Sequence, residues 1–116
     1  MRLFTAVGCA ACHRPTMPDA AGAPVRAFTD LLLHDMGAGL DDGVGEPGVA
    51  ATEWRTAPLV DLGLRDGSRR YLHDGRAVTI DAAIAAHGGE AAAARARYRA
   101  LTPADRAPLL RFIEGL

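Results

Sequence analysis

The sequence predicts an all-α domain in which short helices are separated by long loops. Helix-capping residues and apolar side chains at helical spacing recur in the second half of the chain. Glycine and proline concentrate in two stretches of the first half, which predicts loops there. No stretch shows the sustained apolar–polar alternation of a convincing β-sheet. A chain of 116 residues corresponds to one domain, spanning residues 1–116.

The first half is expected to begin with the end of a helix and to continue mainly as loop. Arg2–Val7 has apolar residues at helical spacing, and Gly8 allows the backbone to turn after it. Residues 14–27 contain three prolines and a glycine, which predicts an irregular loop. Phe28–Asp35 is an apolar run too short for periodicity to decide its state. Residues 37–50 hold five glycines and a proline, so we expect a long loop that wraps a ligand.

Two weaker signals follow in the middle of the chain. Thr56–Leu64 is apolar and predicts a short helix, broken at Gly63. Asp66-Gly67 and Asp74-Gly75 are dipeptides typical of turns.

The last forty residues carry the strongest helix signals. Thr79 can cap a helix that runs from Ile80 to about His87, where two glycines stop it. Glu90–Ala100 is rich in alanine and arginine and therefore has high helix propensity. Thr102-Pro103 opens the last helix, with Asp105 placed as in a capping box, and Gly115 ends it.

The pattern Cys9-Ala10-Ala11-Cys12-His13 carries the clearest chemistry in the chain. Two cysteines three positions apart, followed by histidine, are typical of a c-type haem attachment site. Cys9 and Cys12 can form thioether bonds to the porphyrin, and His13 then becomes the proximal iron ligand. The sequence therefore predicts one covalent haem c in a cytochrome c-like domain, with the helices and loops wrapped around it.

Other interpretations of the two cysteines remain open at this point. A thioredoxin-like redox pair would need a βαβ context, which is not apparent nearby. A zinc site would need two further ligands from His34, His73 and His87, whose spacing is not that of a zinc finger. A chance pattern in an alanine-rich chain is the third alternative.

The amino-acid composition indicates which partners are not expected and how much apolar side chain is available for a core. The formal net charge is −1, which gives no reason to expect nucleic acid or an anionic membrane surface. Alanine supplies 24 of the hydrophobic residues, so large apolar side chains are few and their burial stabilises weakly. A buried haem would add apolar bulk, and we expect the fold and the haem to depend on each other. No apolar run approaches the ~20 residues needed to span a membrane.

The start of the chain leaves no room for a secretory signal. Met1-Arg2-Leu3-Phe4 leads almost directly into the haem motif. Covalent haem attachment normally takes place outside the cytoplasm, so we expect a periplasmic protein. The chain is then either the C-terminal piece of a longer exported protein or the product of a truncated gene.

The whole chain resembles the C-terminal haem domain of the bacterial di-haem cytochrome c peroxidase superfamily, in its di-haem (thiol) oxidoreductase branch. The matching stretches occur in family order and are Leu3–His13, Thr29–Gly37, Glu53–Leu59, Tyr71–Ala77 and Ala86–Ala91. The family's other haem domain, with its own Cys-x-x-Cys-His, is not in this sequence. The resemblance implies a redox function beside a second haem domain.

From the residues alone, the sixth iron ligand could be Met36, His34, His73 or His87. The resemblance implies His87, because the family's distal ligand comes from the corresponding helix end as Met, Tyr or His. Met36 is the alternative, since its loop position resembles that of Met-ligated cytochromes c. A second imidazole would give a low potential, whereas a thioether would raise it.

Three further residues are candidate haem contacts. Arg55 and Arg76 could pair with the haem propionates, although a solvated surface arginine is the plainer interpretation of each. Trp54 could pack on the porphyrin edge or donate its N–H to a propionate, or be an ordinary core aromatic.

Two function classes follow from these candidates. The first is electron transfer by a haem whose two axial positions are both occupied, serving a redox partner protein or a second haem domain. The second is an enzyme with an open distal site that acts on peroxide or another small oxidant. No catalytic residues of another reaction class are indicated.

Overall fold

The computed structural model describes residues 1–62 and 70–116, and these form a mixed fold of helices and small sheets. The helices are α1 (Arg2–Val7), α2 (Ile80–Ala86), α3 (Ala92–Arg99) and α4 (Pro103–Glu114), and the strands are β1 (Thr16–Pro18), β2 (Pro24–Arg26), β3 (Leu33–Asp35) and β4 (Glu53–Arg55). The all-α prediction is therefore wrong, because two antiparallel sheets are present.

The first sheet is a hairpin of β1 and β2 inside the stretch predicted as irregular loop. Met17 lies opposite Val25. The carboxylate of Asp19 accepts hydrogen bonds from the backbone N–H groups of Ala21 and Ala23, both at 2.8 Å, and so closes the turn. The prediction for residues 14–27 is wrong where this hairpin lies, because three-residue strands containing proline show no readable alternation.

The second sheet pairs β3 with β4 across the long glycine-rich loop. His34 lies opposite Trp54 in this pairing. The undecided run Phe28–Asp35 is thus extended at its end, and it contains no helix. Residues 37–50 form the predicted loop, apart from a single 3₁₀ turn at Ala38–Leu40 and a bridge between Glu46 and Val49.

Helix α1 has the predicted bounds and ends at a glycine in the left-handed region. Gly8 has a φ of 104°, and its N–H bonds back to the last turn of α1. The Nε of Arg97 donates to the carbonyl of Val7 at 2.7 Å. A Cβ on Gly8 would lie 2.4 Å from the guanidinium of Arg97, so glycine suits both the turn and this contact.

The predicted caps of the C-terminal helices are confirmed. The hydroxyl of Thr79 accepts a hydrogen bond from a first-turn N–H of α2, and His87 is the C-cap residue. Thr102 caps α4, accepting from the N–H of Asp105 at 3.2 Å. The helix predicted over Glu90–Ala100 is also confirmed, although its first residues form a 3₁₀ turn, Gly89–Ala91, before α3.

The helix predicted over Thr56–Leu64 is wrong where the structure describes it. No helix covers residues 56–61, and Asp61 has a positive φ of 55°. The remainder of this prediction, with Gly63 and Leu64, and the turn at Asp66-Gly67 lie outside the described residues. The turn at Asp74-Gly75 is confirmed, because the N–H of Gly75 bonds to the carbonyl of Leu72.

Three phenylalanine rings form the centre of the core. Phe4, Phe28 and Phe112 meet edge to face, with ring centroids 5.6–6.1 Å apart. Around them the core is completed by Val7, Ile80, Tyr98, Leu109 and Ile113. Among the described residues, no helix is both long and apolar enough to cross a membrane.

Candidate functional site

One cavity brings most of the predicted site residues together. It has a volume of about 470 Å³, which is within the range of ligand pockets, about 300–1,000 Å³. Its apolar lining includes Val7, Leu40, Leu59, Ile80, Ile84 and Ile113. The site residues that line it are Cys9, Cys12, His13, His34, Met36, Trp54, Arg55, His73 and His87.

The attachment motif follows directly from the end of α1. Cys9 begins a 3₁₀ turn that ends at Ala11, and the N–H of His13 bonds back to the carbonyl of Cys9 at 2.9 Å. The two cysteines and the histidine of this turn all line the cavity. Cys9 and Cys12 form no disulfide with each other, and burial raises the pKa of each.

His13 is oriented by a backbone carbonyl. Its Nδ1 lies 3.0 Å from the carbonyl oxygen of Phe28. Since a carbonyl can only accept, Nδ1 carries the proton, and Nε2 is the nitrogen left to coordinate a metal. Burial lowers the pKa of His13; the bond to Phe28 acts against this, and the charge of His87 lowers the pKa further. A neutral imidazole is the form that binds iron.

Phe28 adopts an unusual backbone conformation to make this contact. Its φ is 48°, which is rare for a bulky residue, while its side chain is 2 % exposed within the aromatic core. Burial of the ring offsets the backbone strain and fixes the carbonyl against His13.

His87 is held in the same way at the end of α2. Its Nδ1 lies 2.8 Å from the carbonyl oxygen of Ala83, one turn earlier. Nδ1 is therefore the protonated nitrogen here as well, and Nε2 is left for a ligand. Two half-buried imidazoles from distant parts of the chain thus line one cavity with the same nitrogen available.

Met36 lines the cavity beside His87, because two chain segments pack backbone against backbone. A Cβ on Gly88 would lie 2.6 Å from the carbonyl oxygen of Met36. A Cβ on Gly89, whose φ is 48°, would lie 2.1 Å from the carbonyl oxygen of Asp35. Only glycine permits this approach. Sequence reasoning missed the contact, although the Gly88-Gly89 pair was a signal for it.

His34 is engaged by two carboxylates. Its Nε2 lies 3.0 Å from Asp30 and its Nδ1 lies 2.9 Å from Glu90. The hydrogen bond to Glu90 is the main cause that raises the pKa of His34, with burial acting against it and Asp30 adding to it. Donor atoms of Cys12, Asp30 and His34 lie within 4.8 Å of one another. A metal there would compete with the bonds that already occupy His34.

Trp54 and His73 form a stacked pair at the cavity wall. Their ring centroids are 3.5 Å apart and the planes differ by 5°. The indole N–H of Trp54 donates to the carbonyl of Leu40 at 2.8 Å, so in this structure it is not directed at a propionate.

The arginines divide into two groups. Arg55 lines the cavity, as do Arg70 and Arg95, neither of which was predicted to contact the haem. Arg76 does not line it; its guanidinium pairs with Asp74 and donates to the carbonyl of Gly39. The arginines of α3 are recognisable as a cluster in the sequence. Which of them lines the cavity depends on how α3 is placed in the fold, and this could not be predicted from the sequence.

Paired thiols, two oriented imidazoles and an apolar cavity fit a haem, and together they define a haem-binding redox protein. The chain matches, over residues 1–116, the family described as "Di-haem oxidoreductase, putative peroxidase". This protein belongs to the di-haem oxidoreductase family, which confirms the resemblance seen in the sequence. Neither a curated protein nor a solved structure matches the chain. Family membership implies haem binding and an oxidoreductase role.

Proposed function

We propose that the protein transfers electrons through a single c-type haem. Cys9 and Cys12 attach the haem covalently, His13 is the proximal ligand and His87 is the distal ligand. The haem supplies one-electron redox chemistry, and the chain supplies its attachment, orientation and exclusion from water.

The observation that carries this proposal is the matched pair of imidazoles. His13 and His87 each commit Nδ1 to a backbone carbonyl and leave Nε2 for the cavity. With His13 and His87 both holding the iron, no coordination position would remain for peroxide or oxygen. Such a haem passes electrons without substrate chemistry.

The arginines at the cavity support the placement of the haem. Arg55, Arg70 and Arg95 give its lining three cationic groups suited to two propionates. Arg76 is a weaker candidate, because Asp74 and Gly39 already occupy its guanidinium.

The partner is a redox protein or a second haem domain. The chain contains two cysteines and therefore one attachment motif, whereas its family is named for two haems. We place the exchange of electrons in the periplasm, because covalent haem attachment normally occurs outside the cytoplasm.

The alternative function is an enzyme with an open distal site, and carbon monoxide binding separates the two. We expect the ferrous wild-type protein to bind carbon monoxide poorly and to show no peroxidase turnover. His87→Ala should bind carbon monoxide readily, whereas Met36→Ala should behave as wild type. Ready binding and peroxide turnover by the wild-type protein would contradict the proposal and favour the enzyme.

A further inference from the structure

We propose that Glu90 is a positioning residue that determines which side chain becomes the distal ligand. It does so by joining the segment His34–Gly37, which carries Met36, to the segment His87–Glu90, which carries His87. This inference rests on the proposed haem ligation and extends it to a residue that is not itself a proposed iron ligand.

The carboxylate of Glu90 bridges two consecutive residues of the facing segment. One oxygen accepts the backbone N–H of Asp35 at 3.0 Å, and the other lies 2.9 Å from Nδ1 of His34. Both contacts cross more than fifty positions of sequence. A single side chain therefore fixes strand β3 against the 3₁₀ turn that follows α2.

Asp30 completes the arrangement from the other side of His34. Its Oδ2 lies 3.0 Å from Nε2 of His34, and its other oxygen accepts the N–H of Leu32. Both ring nitrogens of His34 therefore face carboxylates, one from Asp30 and one from Glu90. Charge-assisted hydrogen bonds of this kind are shorter and stronger than neutral ones.

Next to Glu90, the backbones of the segments His34–Gly37 and His87–Glu90 pack directly against each other. Gly88 and Gly89 lie against the carbonyl oxygens of Met36 and Asp35, with no room for a side chain between them. His87 immediately precedes these glycines, so its position depends on this contact. When Glu90 holds the segments together, His87 keeps its bond to Ala83 and its approach to the cavity.

Loss of the bridge should free both candidate ligands. His87 is then no longer fixed at the end of α2, and the thioether of Met36 can take its place at the iron. Exchange of an imidazole for a thioether raises the reduction potential of the haem. Glu90 itself lines the cavity, and its effect on the choice of iron ligand is exerted through His87 and Met36.

The test compares Glu90→Ala and Glu90→Gln with the control Glu114→Ala, which removes an exposed carboxylate at the end of α4. Each haem-loaded protein is examined by low-temperature electron paramagnetic resonance, near-infrared magnetic circular dichroism and redox titration. Hydrogen exchange at the Asp35 amide is measured in the same samples. In Glu90→Gln, the amide oxygen can still accept from the N–H of Asp35, and the amide nitrogen can donate to Nδ1 of neutral His34. Glutamine should therefore preserve most of the contact between the two segments that alanine removes.

We expect Glu90→Ala to show altered axial ligation with a thioether component, a raised potential and exchange at Asp35 faster by about tenfold, the effect of losing one hydrogen bond to a charged group. Glu90→Gln should retain wild-type ligation, and Glu114→Ala should match wild type throughout. Unchanged ligation in Glu90→Ala would overturn the proposal, even if the potential rose or exchange at Asp35 increased, because loss of a carboxylate that lines the cavity raises the potential without any change of ligand. The wild-type spectrum alone tests the proposed function, since an open site there refutes bis-imidazole ligation whatever Glu90 does.

Discussion

Nδ1 of His13 and the carbonyl oxygen of Phe28 lie 3.0 Å apart, and this bond joins the haem motif to the aromatic core. Phe28 makes the bond from a strained backbone conformation, with its ring almost fully buried. Core packing and the orientation of the proximal imidazole are therefore set by the same residue.

Phe28→Ala should lower the free energy of unfolding by about 3–5 kcal/mol, as for other buried phenylalanines. The ring loses its contacts with Phe4 and Phe112, and the reason for the strained backbone disappears. Denaturant unfolding measures the loss. Val44→Ala is the control, because Val44 is 70 % exposed and its truncation should cost little. Equal stability of Phe28→Ala and wild type would refute the role of this ring.

His87→Ala should remove the low-spin six-coordinate spectrum of the ferric haem. The physical reason is that Nε2 of His87 is the nitrogen left facing the cavity. Met36→Ala should leave the optical spectrum and potential unchanged. If His87→Ala keeps a six-coordinate low-spin haem and Met36→Ala loses it, the distal assignment is wrong.

Gly89→Ala should destabilise the folded protein by about 2 kcal/mol or more, because it combines a positive φ with a backbone collision. The added Cβ would lie 2.1 Å from the carbonyl oxygen of Asp35. Gly48→Ala is the matched control, since Gly48 has a φ of 83° and nothing within 4 Å of its added Cβ. Gly48→Ala should therefore show only the smaller cost of the backbone conformation. Similar unfolding midpoints for the two variants would argue against the close approach.

The contribution of His34 to stability should depend on pH. The pKa of His34 is raised above its ordinary 6.5, chiefly by the hydrogen bond to Glu90, so its contribution is full below 6.5 and is lost as pH rises through the folded-state pKa. The hydrogen bond from His34 in turn lowers the pKa of Glu90 below its ordinary 4.5. The contribution of Glu90 to stability is therefore full above pH 4.5 and is lost as pH falls through the folded-state pKa of Glu90. Burial acts against the shift at Asp30, but hydrogen bonds from Leu32 and His34 still lower its pKa.

The stability difference between wild type and His34→Gln should accordingly be largest between pH 4.5 and 6.5. Unfolding midpoints of both proteins across pH 4–9 measure it. A difference that does not fall as pH rises from 6.5 through the folded-state pKa of His34 would show that its charge does not contribute.

The helices were predictable because their signals are local. Thr79 and Thr102 lie at the starts of helices, and a capping hydroxyl is recognisable from the residue type and its spacing. The haem motif is local in the same sense, since its three residues lie within five positions.

The sheets and the packed glycines were not predictable because they depend on distant residues. Strand β3 is three residues long and pairs with β4 across a long loop, so no alternation marks it. The contact of Gly89 with Asp35 and the bridge made by Glu90 likewise join positions far apart in the chain. That Arg70 and Arg95 line the cavity likewise depends on the three-dimensional arrangement of the chain.

Covalent attachment of haem through Cys9 and Cys12 is the central claim, and a haem-stained denaturing gel tests it most directly. The chain is expressed with a haem-attachment system outside the cytosol, beside a Cys9→Ala/Cys12→Ala control. We predict a stained band at 12.1 kDa for wild type and none for the control. A well-folded wild-type protein whose band remains colourless would contradict the account.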